Sequence, residues 1–291
     1  MITVLGATGN VGSKIANLLL ERQHKVRAVG RQADKLDPLQ QRGAEIATGN
    51  IIDVEFLTRA LKGSSSAFVM IPPDYTAKSF ARHYESVSEA IARAIPAAGV
   101  SHIVNLSSFG AELESGTGPI KSLHRHEMRL NQLTGTHILH LRPTYFFENL
   151  LMNLPLIRSQ SLMGSAISAD LRFPMIATAD IAEAAASALA ARDFKGHSVR
   201  ELLGPRDISL NEAALLVSEA IGRPVNYVAF DYVATKGALV EMGLSPDTAD
   251  QFVEMSQAFN SGLISTKGKR NSGNTTPTDF REFAQVFRQL V

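Results

Sequence analysis

The chain has 291 residues, of which 45% are hydrophobic and 20% charged, and its formal net charge is +1. This composition is typical of a globular protein with a large core, and the small net charge gives no electrostatic basis for binding nucleic acid or an anionic membrane. The chain has no cysteine, which excludes disulfides, thiolate nucleophiles and iron–sulfur sites. Met1 leads straight into an apolar strand pattern, and no apolar run reaches the length of a membrane span. We therefore expect a soluble, cytoplasmic protein without a signal peptide.

The start of the chain predicts a strand, a glycine-rich turn and a helix. Residues 2–5 are apolar and mostly β-branched, and residues 15, 18 and 19 are apolar at helical spacing. Between them the glycines follow the pattern G-x-x-G-x-x-G, which permits a tight turn, close approach of a pyrophosphate and close helix packing. Free amide groups of the first helical turn would then face the anion. The residues of this predicted dinucleotide-binding turn are Gly6, Ala7, Thr8, Gly9, Asn10, Val11 and Gly12.

The end of the second predicted strand, residues 25–29, indicates which dinucleotide is bound. A protein that selects NAD is expected to place Asp or Glu there, as an acceptor for the ribose 2′-hydroxyl. Here Arg31 follows the strand, and Lys35 lies one helical turn later. Both side chains suit a 2′-phosphate, although two solvated surface cations are the alternative interpretation. We predict NADP(H) as the cofactor, with NAD(H) as the alternative.

Strands and helices alternate over the next hundred residues. The patterns predict strands at 44–48, 66–71, 102–106 and 138–141, and helices at 33–42, after the cap Asp53, at 77–98 and at 122–133. This alternation predicts an α/β fold with a doubly wound parallel sheet. In such a sheet the ligand crosses the carboxyl ends of the strands, so residues that follow each strand are candidate site residues.

The regular alternation ends near Asn149. Beyond it the sequence predicts an extended stretch at 172–176, strands at 198–203 and 225–230, and helices at 181–190, after Ser209, and at 232–242, 246–259 and 279–290. Asp180 is a predicted helix cap, and Ser209 with Glu212 predicts a capping box. We predict a dinucleotide-binding domain at 1–149, with returning segments around 176–204, and a smaller α/β lobe at 150–291 that closes over the cleft. The basic stretch 267–270 is expected to be a solvated turn.

Four stretches occur in a characteristic order: the turn at residues 6–12, Arg31, the block Leu-Arg-Pro-Thr-Tyr-Phe-Phe-Glu-Asn at 141–149, and Ala-Asp-Ile-Ala at 179–182. Together they resemble the NmrA-like family, an atypical branch of the short-chain dehydrogenase/reductase superfamily. The resemblance covers nearly the whole chain. It implies that the first domain binds NADP(H). It also implies either an NADPH-dependent reductase of quinones and similar conjugated substrates, or a redox sensor that binds the cofactor without turnover.

The resemblance also implies roles for individual residues. The turn would hold the pyrophosphate, and Arg31 the 2′-phosphate. The other cofactor contacts would be Asn50 and Ile51 at the adenine, Met70, Ile71 and Pro72 at the ribose, Ser107 at the nicotinamide, and Phe146, Phe147, Glu148 and Asn149 as its far wall. His124 falls near a His or Lys that family members carry in the helix after the fifth strand, but its spacing is one residue short. Asn50 stands where the wider superfamily usually has Asp.

Ordinary short-chain dehydrogenases donate a proton from a Tyr whose partner Lys lies four residues later. This chain has no tyrosine between Tyr84 and Tyr145, and the same spacing at Tyr232 and Lys236 falls in the outer lobe, where we interpret it as a coincidence. Reduction of a quinone gives a phenolate-like product that water can protonate, so positioning the nicotinamide against a flat acceptor would suffice.

Four residues are candidates for the chemistry. Ser107 and His124 are the candidate catalytic residues. The alternative interpretations are that Ser107 simply ends a strand and that His124 lies on the surface. Tyr145 and Phe146 are the candidate substrate-stacking residues, with ordinary core aromatics as the alternative.

No metal site is predicted, because the closely spaced histidines fall on different faces of their predicted elements. We predict an NADPH-dependent oxidoreductase that transfers hydride to a small aromatic or conjugated carbonyl acceptor such as a quinone. The alternative is a non-catalytic NADP(H) sensor with a protein partner. A nucleotide-sugar epimerase would need the missing proton shuttle. Neither nucleic acid nor a membrane is a predicted partner, and the sequence leaves the oligomeric state open.

Overall fold

The computed structural model describes residues 1–266 and 268–291. Its strands are β1 (Ile2–Leu5), β2 (Val26–Gly30), β3 (Glu45–Thr48), β4 (Ser66–Val69), β5 (His102–Leu106), β6 (His137–Pro143), β7 (Tyr145–Phe146), β8 (Leu162–Ser165), β9 (Phe173–Ile176), β10 (His197–Leu202), β11 (Asp207–Ile208) and β12 (Asn226–Ala229). A seven-stranded sheet has the order β10-β6-β5-β4-β1-β2-β3, and all its neighbours are parallel. The strand order reverses between β1 and β4, so the predicted doubly wound parallel sheet is confirmed.

The helices are divided between the two faces of this sheet and the second lobe. They are α1 (Asn10–Glu21), α2 (Asp37–Gln41), α3 (Val54–Leu61), α4 (Phe80–Ala98), α5 (Ile120–Leu130), α6 (Leu154–Gln160), α7 (Thr178–Ala191), α8 (Leu210–Ile221), α9 (Tyr232–Glu241), α10 (Pro246–Asn260), α11 (Phe280–Phe283) and α12 (Gln285–Leu290). One core lies between the sheet and α1 and α7, and a second lies between the sheet and α3 and α4. Because both faces are covered, strands such as β1 and β4 are buried along their whole length.

A second lobe packs at the carboxyl ends of the strands around its own core. Two small sheets belong to it, with the orders β11-β9-β7 and β12-β8. Phe147 and Phe280 meet edge to face in this core, with ring centroids 5.1 Å apart. By contrast, β10 pairs with β6 in the central sheet, and α7 packs against α1. The chain therefore returns to the first lobe after entering the second.

Local hydrogen bonding confirms one predicted helix start and moves another. Asp53 caps α3, because its carboxylate accepts from the amides of Glu55 and Phe56 at 2.9 and 3.1 Å. The helix predicted from residue 77 begins only at Phe80, because Ser79 is its N-cap and accepts from the amide of Arg82. The residues before Ser79 thus remain available as a loop after β4.

Three further predictions, two about helix caps and one about the continuity of a helix, are wrong. Ala177, and not Asp180, is the N-cap of α7. The carboxylate of Asp180 instead accepts from the amide and the hydroxyl of Thr278 at 3.0 and 2.7 Å, which joins α7 to the chain before α11. Ser209 caps α8 as predicted, but the carboxylate of Glu212 binds Arg172 and Arg206 and does not complete a capping box. The helix predicted at 279–290 divides into α11 and α12.

The basic stretch 267–270 was predicted to be a solvated turn, and its first residue, Lys267, lies outside the described residues. Arg270 does not extend freely into solvent as the prediction requires, because its side chain is bound by neighbouring residues. Its Nε donates to the carbonyl of Gly204 at 2.8 Å, and its guanidinium forms an ion pair with Asp207. Among the described residues, no helix has both the length and the apolar character that crossing a membrane requires.

Candidate functional site

The turn between β1 and α1 is built from glycines with separate roles. Gly6 has a φ of +65°, in the left-handed region that favours glycine, and its carbonyl accepts from the amide of Gly9 at 2.9 Å. A Cβ added to Gly12 would lie 2.2 Å from the carbonyl oxygen of Gly6, so only glycine allows α1 to begin this close to the turn. A Cβ added to Gly9 would be 3.4 Å from the same oxygen, which is ordinary contact.

The N-terminus of α1 carries unpaired amide groups. Among the described residues, the amides of Asn10, Val11 and Gly12 have no hydrogen-bond acceptor, as expected of a first helical turn. The first turn of α1 also contains no acidic residue. Unpaired amides and the positive end of the helix dipole favour an anion, and the close-fitting glycines leave room for one. The turn therefore fits the pyrophosphate of a dinucleotide.

A cleft with a volume of about 430 Å³ opens in front of this turn. Of the residues predicted to bind cofactor, it is lined by Gly6, Thr8, Gly9, Asn10, Val11, Gly12, Arg31, Ile51, Met70, Pro72, Phe146 and Asn149. The lining residues that sequence reasoning missed are Val29, Gly30, Gly49, Phe56, Phe68, Pro73, Tyr75 and Leu106. Three of the missed residues, Gly30, Gly49 and Leu106, end a strand or follow one directly, so the strand-end rule identifies these three once the strand ends are known. Phe56 comes from α3, and its ring lies against Gly49.

Arg31 lies just beyond β2, at one end of the cleft. Its side chain is exposed and makes no hydrogen bond or ion pair with the described residues. Hydrogen bonds from Thr76 hold the pKa of the nearby Asp74 below its ordinary value, and the charge of Arg31 lowers it further. Lys35 lies in a 3₁₀ helix, Asp34–Leu36, and does not line the cleft. Asn50 is exposed and does not line the cleft, and its Oδ1 accepts from the amide of Ile52 at 3.2 Å.

The loop after β4 connects the cleft to the second lobe. Tyr75 lines the cleft, and its ring centroid lies 5.8 Å from that of Phe252 on α10. Its carbonyl also accepts from the amide of Ser245 at 2.8 Å, just before α10 begins. Ile71 is 4% exposed and belongs to the core beneath this loop. The second lobe thus contacts a wall of the cleft directly.

The side chains of residues 145–149 point in different directions, some into the cleft and some into the core of the second lobe. Phe146 and Asn149 line the cleft. Tyr145 lies outside the lining and packs edge to face against Phe173 and Phe259, and burial raises the pKa of its hydroxyl. Phe147 is 1% exposed and points into the core of the second lobe. This divergence follows from β7, in which neighbouring side chains point to opposite faces.

Ser107 and His124 are placed differently. Ser107 follows β5 and the cleft-lining Leu106, and its amide donates to the carbonyl of Leu141 at 2.8 Å. Its Oγ is buried and has no hydrogen-bond partner among the described residues. His124 lies on α5, where its Nδ1 is 2.8 Å from the carbonyl oxygen of Ala111, and it does not line the cleft. The structure therefore brings Ser107, but not His124, next to the cleft wall.

Tyr232 and Lys236 have structural partners in the outer lobe. The hydroxyl of Tyr232 accepts from Nδ2 of Asn260 at 2.9 Å, and Lys236 pairs with Asp250 at 2.6 Å. Both contacts join α9 to α10. Neither residue lines the cleft, so this Tyr-x-x-x-Lys spacing does not stand in for the usual proton donor.

The reversed strand order and the glycine turn that opens the cleft define a doubly wound α/β protein of the dinucleotide-binding class. A model of the NmrA-like family matches residues 1–284, and the chain belongs to this family.

Known relatives agree with this assignment. The chain is 30% identical over 257 residues to the NAD(P)H azoreductase of Xenophilus azovorans, a match that covers 88% of this chain and 86% of that protein. The NADPH-dependent quinone oxidoreductase of Escherichia coli, solved with NADPH, has a TM-score of 0.80 at 24% identity over 98% of this chain and 99% of that chain. NmrA, a negative transcriptional regulator solved with NADP, has a TM-score of 0.73 at 16% identity over 98% and 94%. The two solved structures demonstrate the shared fold.

Proposed function

We propose that the chain is an NADPH-dependent reductase that transfers hydride to a flat conjugated acceptor, such as a quinone or an aromatic azo compound. The observation that carries the proposal is the cleft, which runs from unpaired helix amides at one wall to Leu106 and Phe146 at another. Its polar end suits a pyrophosphate, and its apolar end suits a nicotinamide and a planar acceptor. The 30% identical relative that reduces azo compounds with NAD(P)H supports the same class of reaction.

Each wall has a distinct task in this proposal. The amides of residues 10–12 bind the pyrophosphate, and the Arg31 guanidinium binds the 2′-phosphate through charge-assisted hydrogen bonds. The unpaired Oγ of Ser107 hydrogen-bonds the carboxamide of the nicotinamide or a polar atom of the acceptor, which removes the cost of leaving this group unsatisfied. Phe146 and Leu106 exclude water beside the reacting ring.

NADPH supplies the hydride when it is bound. A quinone that takes up this hydride at one oxygen leaves the other as a phenolate, and a proton from water completes the hydroquinone while NADP⁺ departs. An acid side chain is not required, which agrees with a cleft lining that contains no histidine, lysine, aspartate or glutamate among the described residues. The protein's contribution is then positioning, which brings the donor carbon and the acceptor into contact.

The test is a matrix of cofactors and acceptors. NADPH and NADH are each incubated with a panel of quinones and azo dyes, and the loss of reduced-nicotinamide absorbance is followed. We expect acceptor-dependent oxidation that is faster with NADPH at low cofactor concentration. Binding of NADPH without any acceptor-dependent oxidation would contradict the reductase.

The cleft lining also favours the non-catalytic NADP(H) sensor as a second candidate, because no lysine lines the described cleft beside its tyrosine, Tyr75, and burial raises the pKa of that tyrosine. A sensor requires that NADPH and NADP⁺ stabilise different conformations. Hydrogen exchange of the loop after β4 with each cofactor form would show such a difference, and identical exchange patterns would contradict the sensor.

A further inference from the structure

Polar side-chain contacts join α1 and its C-cap residue, Arg22, to α7 at two places. At the cleft end, Nζ of Lys14 donates to Oγ1 of Thr178 at 2.9 Å and to the carbonyl of Asn10 at 3.2 Å. At the far end, Arg22 pairs with Glu183 at 2.6 Å. The first contact is a hydrogen bond to a neutral hydroxyl, whereas Arg22 forms an ion pair and also donates to Oγ of Ser187 at 3.2 Å. Only the first contact reaches a residue that lines the cleft, namely Asn10.

Thr178 is fully buried and is bound on its other side by Glu148. Both carboxylate oxygens of Glu148 accept from the amide of Thr178 at 3.1 Å, and Oε1 also accepts from its hydroxyl. Ala177, the N-cap of α7, has no side chain able to cap the helix, so Glu148 performs this task from another segment. Because the hydroxyl proton is directed to Glu148, its oxygen lone pairs are available to Lys14.

Glu148 lies in the segment that forms the opposite wall of the cleft. Phe146 and Asn149, two residues before it and one after it, both line the cleft. The chain of hydrogen bonds therefore runs from this wall through Glu148, Thr178 and Lys14 to Asn10 at the phosphate-binding turn. It joins two cleft-lining segments that are far apart in sequence.

We infer that Glu148 is a positioning residue that holds the Phe146–Asn149 wall at a fixed distance from the phosphate-binding turn, acting through Thr178 and Lys14. This role differs from direct cofactor contact, because the carboxylate is occupied by Thr178 and does not line the cleft. The effect on turnover rests on the proposed function, since hydride transfer is sensitive to displacements of about 1 Å. The effect on the structure of the cofactor-free protein is independent of the proposed function.

The first experiment compares turnover among four variants. Glu148→Gln removes the charge, Thr178→Val removes the hydroxyl, and Thr178→Ser keeps a hydroxyl. As the control, Glu183→Gln removes the ion pair that joins α1 to α7 at the far end. With NADPH and acceptor both saturating, we expect kcat to fall about tenfold in Glu148→Gln and Thr178→Val, because the wall shifts relative to the turn. We expect Thr178→Ser and Glu183→Gln to stay close to the parent protein. A loss of kcat in Glu183→Gln equal to that in Glu148→Gln would overturn the inference, because any α1–α7 contact would then suffice.

The second experiment needs no cofactor and separates the two proposals. Amide hydrogen exchange is measured on the cofactor-free protein for residues 8–14 and 145–149. We expect faster exchange in both segments for Glu148→Gln and Thr178→Val, but not for Thr178→Ser or Glu183→Gln. Unchanged exchange in both segments for Thr178→Val would overturn the inference. Faster exchange in a protein that never oxidises NADPH would support the positioning role and contradict the proposed function.

Discussion

At the scale of single residues, Arg31 should decide between NADPH and NADH. Its guanidinium is exposed at the cleft and makes no ion pair with the described residues, so it can meet a phosphate without first breaking a salt bridge. A charge-assisted hydrogen bond contributes about 1.5–3 kcal/mol. We predict that Arg31→Ala weakens NADPH binding by roughly ten- to a hundredfold and leaves NADH binding nearly unchanged. Titration of both cofactors against the purified variant measures this.

Lys35 provides a matched cation for comparison. It is also exposed, but it does not line the cleft. Lys35→Ala should weaken NADPH binding much less than Arg31→Ala. Equal losses in the two variants would mean that general positive charge, and not the guanidinium beside β2, determines the preference.

The role of Ser107 can be tested by comparison with Ser198, a second serine whose hydroxyl is buried and unpaired among the described residues. The Oγ atoms of Ser107 and Ser198 are both buried without a hydrogen-bond partner among the described residues, but Ser198 lies on the edge strand β10. Replacing either serine by alanine removes an unsatisfied polar atom, so we expect neither variant to be less stable in thermal unfolding. We predict that Ser107→Ala lowers kcat/KM about tenfold, the effect of losing about 1.4 kcal/mol, whereas Ser198→Ala does not. Parent-like kinetics of Ser107→Ala would leave Ser107 without a role in the reaction.

At the scale of elements, two glycines of the turn should separate folding from cofactor binding. A Cβ at position 12 would collide with the Gly6 carbonyl, and backbone cannot move aside as a side chain can. We predict that Gly12→Ala loses about 1–3 kcal/mol of unfolding free energy. Gly9→Ala has room in the cofactor-free protein, but its methyl group would occupy space next to the phosphate-binding amides. It should unfold like the parent protein and lose NADPH affinity.

Denaturant unfolding and NADPH titration of both glycine variants provide the measurements. The prediction requires the two effects to dissociate. If Gly9→Ala binds NADPH as the parent protein does, the pyrophosphate does not lie against this turn.

The central sheet and the glycine turn could be predicted because their signals are local. Apolar runs such as residues 2–5 are buried on both faces, and the turn requires glycine for steric reasons that act within six residues. The strand β7 could not be predicted in this way. It has two residues, its partner β9 lies thirty residues away in sequence, and the consecutive aromatic residues at 145–147 show no alternation that reveals their orientation.

Long-range hydrogen bonding explains why the predicted cap of α7 differs from the observed one. Asp180 has the sequence context of a helix cap, but its carboxylate is taken by Thr278, 98 residues away. The cap of α7 comes instead from Glu148, 30 residues before it. A sequence pattern shows that a carboxylate is near a helix start, but it does not show which donor that carboxylate meets after folding. Residue roles at the lobe boundary were therefore the least predictable part of the candidate site.

At the scale of the whole molecule, α10 ties the second lobe to the loop after β4, to the start of α4 and to α5. Asp247, in its first turn, accepts from the amide of Phe80 at 2.8 Å, and Phe252 contacts the ring of Tyr75. Further along, Glu254 pairs with Lys121 of α5 at 2.7 Å. A rearrangement of this helix would therefore move the loop after β4, which lines the cleft. This connection gives the second lobe a physical route to influence cofactor binding.

Buried histidines between the central sheet and its helices make the stability of the molecule dependent on pH. Burial, followed by the positive charges of His140 and Arg129, lowers the pKa of His126 to about 3. Burial also lowers the pKa of His140 to about 4, although the charge of Glu127 opposes this shift. Both rings stay neutral in the folded protein at a pH where they become protonated in the unfolded chain. Their contribution to stability is therefore complete above the ordinary histidine pKa and is lost as the pH falls below it.

We predict that replacing His126 by asparagine flattens this dependence. Nδ1 of His126 pairs with Oγ of Ser88 at 2.8 Å, a contact that asparagine can reproduce, and Nε2 has no partner among the described residues. The free energy of unfolding, measured by denaturant titration, should fall less steeply between about pH 6 and pH 4 in the variant than in the parent protein. The two slopes should differ by up to about 1.4 kcal/mol per pH unit. Replacing His24, in the turn between α1 and β2, by asparagine should leave the slope nearly unchanged. Acidic side chains such as Glu183, whose pKa Arg22 lowers, titrate alike in the parent protein and in the variant, so they do not change the comparison. An unchanged slope in His126→Asn would therefore mean that the His126 ring is protonated equally in the folded and the unfolded protein.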